Sequence, residues 1–351
     1  MSLFSIHNVS LKAISACVPK KEVPISEYNY ISDEEKKMFT QGTGIASRRF
    51  APEHICTSDM CYEAATKLIK DNNLDKDTID VLVFVSQSPD YFLPATSILL
   101  QERLGLSKSV MAFDINLGCS GYVYGLSVLS NLISLPGMKK GLLLCGDKSS
   151  QSLSYTDKST YPLFGDAGTA TLLERSENSS PIHFNLQSDG SGRNAIIIEG
   201  AATRKPYSKN TFKKIEIAPG INRCERDLAL DGIEVFNFSL REVKPNIKTL
   251  LEFSNTELHS IDFLVMHQAN KLMNESVRKK IGFPIEKAPY SLEKYGNTSS
   301  ASIPLTIVAE LKNKLNGNRK LLLSGFGVGF SWGSAIVDIN NLKISNLVEI
   351  E

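Results

Sequence analysis

Three residues, Cys119, His267 and Asn297, are the strongest candidates for joint chemistry in this 351-residue chain. A cysteine thiolate can accept an acyl group from a thioester. A neutral imidazole and a carboxamide can both donate hydrogen bonds to one carbonyl oxygen, which stabilises the enolate left when a neighbouring carboxylate departs as CO2. The resulting carbanion can attack the acyl-enzyme, so these residue types together suit the formation of a carbon–carbon bond.

Each of the three residues also has an ordinary structural explanation when it is read alone. Cys119 could be a buried small side chain, His267 a structural histidine, and Asn297 a turn residue or helix N-cap. Sequence position favours function. Cys119 directly precedes an apolar, helix-like run, where the positive end of the helix is expected to lower the pKa of the thiol. His267 follows four apolar residues at a predicted strand end, where α/β proteins commonly bind ligands.

An internal repeat indicates how the chain brings these residues together. The segment "TIDVLVFVSQ" (78–87) resembles "SIDFLVMHQA" (260–269), and each is typical of a buried strand that follows a helix. Downstream, "GCSGYVYGLSVLSNL" corresponds to "GNTSSASIPLTIVAEL", and "KKGLLLCGD" corresponds to "NRKLLLSGF". We therefore predict a duplicated α/β fold in which Cys119 and Asn297 occupy equivalent positions, with His267 near the same centre.

The repeat divides the chain into three predicted regions. Residues 1–174 form a first half that carries the cysteine, and residues 228–351 form a second half that carries the histidine and the asparagine. Residues 175–227 have no counterpart in the repeat and contain the basic stretch "TRKPYSKNTFKK", so we expect an inserted connecting region on the surface. Pro245 is expected to kink or split the first helix of the second half.

Composition excludes several classes of function. The net charge of +1 gives no global basic field, so we expect no nucleic-acid partner. The apolar stretches are too short and too polar to span a bilayer, so we expect no membrane association. The first residues lack the pattern of a signal peptide, and the six cysteines are therefore expected to be reduced thiols in a cytoplasm. Their spacing does not match a metal site.

Ordered motifs along nearly the whole chain resemble those of the β-ketoacyl-acyl-carrier-protein synthase III family, part of the thiolase-like superfamily. The segments that carry the resemblance are "GTGIASRRFAP", "AFDINLGCSGY", "LFGDAGTATLLE", "LDGIEVFNF", "HQAN", "YGNTSSASIP" and "GFGVGFSWGSA". The resemblance implies a thiolase-like α/β fold of five layers, α-β-α-β-α, with two pseudo-twofold halves.

The resemblance also implies roles for individual residues. Cys119 matches the acylated nucleophile, and His267 and Asn297 match the pair that drives decarboxylation. The backbone N–H groups of Cys119 and Gly329 match the oxyanion hole. Two further sets are implied, one for substrate binding and one for docking an acidic carrier protein. They are Phe92, Leu93, Phe164, Gly232 and Phe236 for the substrate, and Lys271, Arg278, Lys279 and Lys280 for the carrier.

The implied reaction is a decarboxylating Claisen condensation of an acyl thioester, carried on coenzyme A or acyl carrier protein, with a malonyl-carrier thioester. The family is homodimeric and needs no metal or redox cofactor. Met38 and Gln151 stand where the family commonly has adenine-binding side chains, which favours a donor other than acetyl-coenzyme A. Two alternatives stay open from the residues: acyl transfer to an amine or alcohol without decarboxylation, and a catalytically silent binding subunit of a larger synthase.

Overall fold

Two central sheets contain most of the strands in the computed structural model, which describes residues 2–351. The strands are β1 (Ser2–Ile6), β2 (Val9–Pro19), β3 (Glu22–Pro24), β4 (Ser47–Arg49), β5 (Ile79–Val85), β6 (Met111–Ile115), β7 (Lys140–Asp147), β8 (Ala167–Arg175), β9 (Ile182–Ser188), β10 (Ile196–Ile197), β11 (Ile215–Ala218), β12 (Ile221–Arg223), β13 (Ala229–Leu230), β14 (Phe263–Met266), β15 (Asn318–Gly327), β16 (Ser331–Asn340), β17 (Lys343–Ile344) and β18 (Val348–Ile350). The α-helices are α1 (Asp33–Thr43), α2 (Thr57–Asp71), α3 (Thr96–Arg103), α4 (Gly121–Ser134), α5 (Gly232–Phe253), α6 (Lys271–Ile281), α7 (Leu292–Tyr295) and α8 (Ser302–Glu310). Short 3-10 turns cover Ile25–Glu27, Lys76–Thr78, Ser149–Ser152, Gly190–Gly192, Leu258–Ser260, Ile285–Lys287 and Ser299–Ala301.

The two sheets repeat one strand pattern, as the sequence repeat predicts. The first sheet has the order β17-β2-β8-β7-β5-β6, with β18 beside β2, and the second has the order β1-β9-β16-β15-β14. Strand β5 runs parallel to β7, and its counterpart β14 runs parallel to β15. Strands β8 and β16 then return antiparallel to β7 and β15. The parallel strands carry continuous apolar runs because helices cover both faces of each sheet.

Helices separate and flank the two sheets in five layers. α4 and α8 lie between the sheets, α2 and α3 cover the outer face of the first sheet, and α5 and α6 cover the second. α4 is apolar on most of its surface because it packs against both sheets, and its buried side chains include Tyr122, Leu126 and Ile133. This is the α-β-α-β-α arrangement that the resemblance implies.

The predicted connecting region, residues 175–227, differs from the structure at its start. β9 lies inside that region, yet it pairs with β1 and β16 and occupies the place in the second sheet that β2 occupies in the first. The first strand of the chain, β1, belongs to the second sheet, and the last strands, β17 and β18, belong to the first sheet. The strands between β9 and α5 form the short pairs β10–β13 and β11–β12. Polar residues such as Asn185 and Gln187 interrupt the apolar pattern of β9, so the comparison of the two repeated halves does not reveal this strand.

Helix α5 runs through Pro245 without being split. One face of α5 packs against β9, β15 and β16 through side chains that include Val243, Ile247 and Leu250. This packing compensates for the backbone hydrogen bond that proline cannot donate. No helix within residues 2–351 has the length and apolar character needed to cross a membrane.

Candidate active site

One cavity of about 240 Å³ is lined by Cys119, His267 and Asn297 together. The three residues are only 9, 1 and 7% exposed, respectively. Cys119 precedes α4, His267 follows β14, and Asn297 precedes the turn that leads into α8. Strand and helix ends from both halves of the fold therefore converge on a single enclosed space.

The Cys119 thiol lies against the loop that ends β15. A Cβ atom built at Gly327 would lie 2.8 Å from the Cys119 Sγ, so only glycine allows this approach. Burial raises the pKa of the thiol to about 11, although a hydrogen bond with the Val328 backbone lowers it in part. The expectation that the helix end would lower this pKa is therefore wrong, because removing the thiolate from water costs more.

The backbone N–H of Val328 lies beside the Cys119 thiol. The Val328 N–H reaches Cys119, and Val328 lines the cavity. Gly329 is not among the cavity-lining residues, and the atoms nearest to a Cβ built there belong to Ser331. Successive backbone N–H groups in an extended loop point in different directions, so a shift of one residue changes which of them faces the thiol.

His267 is held in place by β15 and by α8. Its backbone N–H donates to the Ser324 carbonyl at 2.8 Å, its Nδ1 lies 2.8 Å from the Ser302 hydroxyl, and its ring meets Phe326 edge to face at 5.8 Å. Burial lowers the pKa of His267 to about 3. The imidazole is therefore neutral near pH 7, which lets one ring nitrogen act as a hydrogen-bond donor.

Asn297 is fixed through its backbone and through one side-chain oxygen. Its N–H donates to the Leu163 carbonyl at 2.9 Å, and its carbonyl accepts from the Gly165 N–H at 3.0 Å. Its Oδ1 accepts from the Ser299 N–H at 2.9 Å. These contacts orient the amide so that Nδ2, the donor end, remains available in the cavity.

Asp147 is a buried residue of the cavity that sequence reasoning missed. Its carboxylate accepts from the Gln87 N–H at 2.7 Å, from the Ser300 hydroxyl at 2.7 Å and from the Ser300 N–H at 3.1 Å. Burial raises the pKa of Asp147. A charged residue that closes an otherwise apolar strand, "GLLLCGD", was the available signal, because such a residue is rarely buried without a role.

The other predicted substrate-binding residues separate into two groups. Phe164 and Gly232 line the cavity. Phe236 does not, because α5 turns the neighbouring Val235 inward instead. Phe92 and Leu93 are 84 and 81% exposed at the tip of a loop, so neither contributes to the cavity of the single chain.

The predicted docking residues differ in availability. Lys271 and Lys279 are exposed, and neither forms an ion pair within the part of the chain that the structure describes. Lys280 is exposed and donates to the Leu240 carbonyl at 2.7 Å. The Arg278 side chain is only 11% exposed and is held by Glu275 at 2.7 Å. Arg278 therefore belongs to an internal pair of α6 rather than to an open basic patch.

Comparisons with known proteins agree along nearly the full chain. Two family models match: 3-oxoacyl-[acyl-carrier-protein (ACP)] synthase III over residues 113–190, and the C-terminal domain of the same enzyme over residues 251–339. A β-ketoacyl-[acyl-carrier-protein] synthase III of Streptococcus mutans is 33% identical, covering 92% of this chain and 96% of the relative. A putative 3-oxoacyl-[acyl-carrier-protein] synthase 3 of Campylobacter jejuni is 33% identical, covering 96% of both. The crystal structure of a 3-oxoacyl-(acyl-carrier protein) synthase from Burkholderia xenovorans superposes with a TM-score of 0.93 at 37% identity, covering 99% of each chain.

Proposed function

Because the chain belongs to the 3-oxoacyl-[acyl-carrier-protein] synthase III family of condensing enzymes and has its thiolase-like fold, we propose that it joins an acyl thioester to malonyl-acyl carrier protein with loss of CO2. The observation that carries this proposal is the shared cavity, in which a thiol, a neutral imidazole and an oriented carboxamide meet. The enzyme class is therefore an acyltransferase that forms a carbon–carbon bond.

In the first step, the Cys119 thiolate attacks the carbonyl carbon of the acyl thioester. The developing oxyanion accepts hydrogen bonds from the N–H groups of Cys119 and Val328, whose loop lies against the thiol. The carbon–sulfur bond to the carrier then breaks, and the carrier thiol leaves with the proton that the cysteine gave up. The acyl group remains on Cys119 as a thioester.

In the second step, a malonyl thioester places its carbonyl oxygen between His267 and Asn297. The imidazole N–H and the Asn297 Nδ2 donate to this oxygen, so the enolate formed as CO2 departs is stabilised. The enolate carbon attacks the acyl carbon on Cys119, and the cysteine leaves as a thiolate. The product is a β-ketoacyl thioester two carbons longer than the donor.

Carrier protein is the proposed partner at the cavity mouth. Lys271, Lys279 and Lys280 of α6 support this role, since they are exposed and Lys271 lies next to the cavity-lining Asn270. Arg278 is left out of this surface because Glu275 occupies it. An acidic carrier would meet these amines with favourable charge complementarity.

A homodimer is the proposed assembly. Within residues 2–351, β6 is an edge strand that pairs with β5 alone, so its outer backbone groups are open to a second copy of the chain. The apolar tip with Phe92 and Leu93 is exposed on the single chain and would be covered in such a pair. The proposed location is the cytoplasm, which the six free cysteines support.

The test combines intact-mass trapping with product analysis. Incubation with acyl thioesters should add one acyl mass at Cys119, and malonyl-acyl carrier protein should then remove it with release of CO2. The Cys119→Ala variant should gain no acyl mass, whereas Cys224→Ala, which changes a cysteine outside the cavity, should behave as the parent. An amide or ester product without CO2 would indicate acyl transfer to an amine or alcohol. The absence of any adduct on the parent would indicate a silent binding subunit.

A further inference from the structure

The cavity has two chemically different walls. One wall is apolar. It is formed by residues from 196 to 273 and by the end of β15, and it includes Ile196, Leu230, Val235, Ala269, Met273 and Phe326. The segments that follow β5 and β7 give a polar wall, formed by Gln87, Ser88, Asp147, Lys148, Ser149 and Ser152. An acyl pocket for a plain alkyl chain needs no such concentration of hydrogen-bonding groups.

Half of the polar wall is already satisfied by the protein. Lys148 donates its ammonium hydrogens to the carbonyls of Pro52, Glu53 and Ile55 at 2.7–3.1 Å. Ser88 lies 2.7 Å from the Thr57 hydroxyl and accepts from the Lys148 N–H at 2.8 Å. These groups, like Asp147, shape the wall but offer little to a ligand.

The remaining polar groups have no protein partner. Within residues 2–351, the side chains of Gln87, Ser149 and Ser152 form no hydrogen bond, and all three face the cavity. A polar group that is taken out of water without a partner costs about 1–3 kcal/mol. A bound alkyl chain would displace water from these three side chains and leave them unsatisfied.

Gln87 is placed where an acyl chain on the cysteine begins. Its Oε1 lies 2.4 Å from the position of a Cβ built on Gly118, the residue just before Cys119. Ser149 and Ser152 lie on the 3-10 turn that directly follows β7. The first few carbons beyond the thioester therefore meet the carboxamide first.

We propose that the natural acyl donor carries a hydroxyl or carbonyl oxygen within a few carbons of its thioester, and that Gln87, Ser149 and Ser152 recognise this oxygen. The inference rests on the proposed function, because it takes Cys119 as the acylated residue. The substituent supplies the hydrogen bonds that these side chains lack, and the apolar wall is left for the pantetheine arm.

The experiment compares two donors of equal length, the N-acetylcysteamine thioesters of butyrate and 3-hydroxybutyrate. The rate of mass gain at Cys119 is measured for each on the full-length protein. We expect a preference for the hydroxyacyl donor of about tenfold, the value that one satisfied hydrogen bond gives. Gln87→Leu, Ser149→Ala and Ser152→Ala should each reduce this ratio, mainly through a slower hydroxyacyl reaction. Ser107→Ala, a serine outside the cavity, should leave the ratio unchanged.

Three outcomes would overturn the inference. Equal or faster acylation by butyrate shows that the wall does not select a polar chain. An equal loss with both donors in every wall variant shows that the side chains bind the pantetheine arm. The donor comparison uses only the parent protein, so a variant that fails to fold does not affect it. Failure of both donors, and of every other thioester, to acylate Cys119 removes the proposed function and this inference with it.

Discussion

The Asp147 carboxylate, at the end of β7, accepts hydrogen bonds from both the N–H and the hydroxyl of Ser300. This contact joins the two halves of the fold directly behind the active site. Ser300 lies in the turn that follows Asn297, and Asp147 also fixes the backbone of Gln87. One buried carboxylate thus positions the turn that follows Asn297 and the backbone of Gln87.

Replacing Asp147 should disturb stability and decarboxylation together. Asp147→Ala leaves several buried donors without an acceptor, so we expect the free energy of unfolding to fall by about 3 kcal/mol in urea titrations. CO2 release from malonyl-acyl carrier protein should fall more than acylation of Cys119, because the Asn297 turn loses its anchor. Ser300→Ala removes one hydroxyl bond and should cost only about 1 kcal/mol. An Asp147→Ala variant as stable as the parent would show that the contact is dispensable.

Alkylation of Cys119 should depend steeply on pH. Burial raises its pKa to about 11, so the thiolate remains the minor form through pH 9 and its fraction grows tenfold per pH unit. Iodoacetamide labelling, followed by peptide mapping at Cys119, should therefore accelerate about a hundredfold between pH 7 and pH 9. A plateau below pH 9 would mean that the thiol is ionised more easily than its burial predicts.

Decarboxylation should not titrate with the histidine. The pKa of His267 is lowered to about 3, so the imidazole is already neutral at pH 5 and stays neutral as the pH rises. The rate of CO2 release from malonyl-acyl carrier protein should therefore be flat between pH 5.5 and pH 8. An inflection near the ordinary histidine pKa, about 6.5, would contradict this prediction.

The two hydrogen-bond donors should be separable from the nucleophile. His267→Ala and Asn297→Ala should each slow CO2 release by about 100-fold or more, as the loss of one oxyanion donor typically does. Both variants should still gain an acyl mass at Cys119, because the first step uses different backbone donors. Loss of acylation in either variant, with an unchanged melting temperature, would assign that residue to the first step instead.

Gly165 should tolerate no side chain. A Cβ there would lie 2.3 Å from the Tyr295 carbonyl oxygen, so Gly165→Ala must push away the loop that leads to Asn297. We expect a loss of about 2–4 kcal/mol in unfolding free energy, and slower CO2 release. The matched control is Gly42→Ala within α1, where a Cβ meets nothing within 4 Å. That variant should gain about 0.5–1 kcal/mol, because alanine restricts the unfolded chain and favours the helix.

The repeat made the duplicated fold predictable, because buried parallel strands leave apolar runs that survive in both halves. The sequence could not show which backbone N–H faces the thiol, since the direction of an N–H depends on loop dihedrals that the sequence does not specify. The pairing of Arg278 with Glu275 could have been predicted from the sequence, because residues three apart lie on the same face of a helix. Strand β9 was not predicted because polar residues such as Asn185 and Gln187 interrupt its apolar pattern.

The two walls of the cavity come from different parts of the duplicated chain. Loops after β5 and β7 line the polar side of the cavity, while α5, α6 and the residues before them line the apolar side. Under the proposed function, substitutions in the loops after β5 and β7 would consequently alter which acyl donor is accepted without changing how the pantetheine arm is bound.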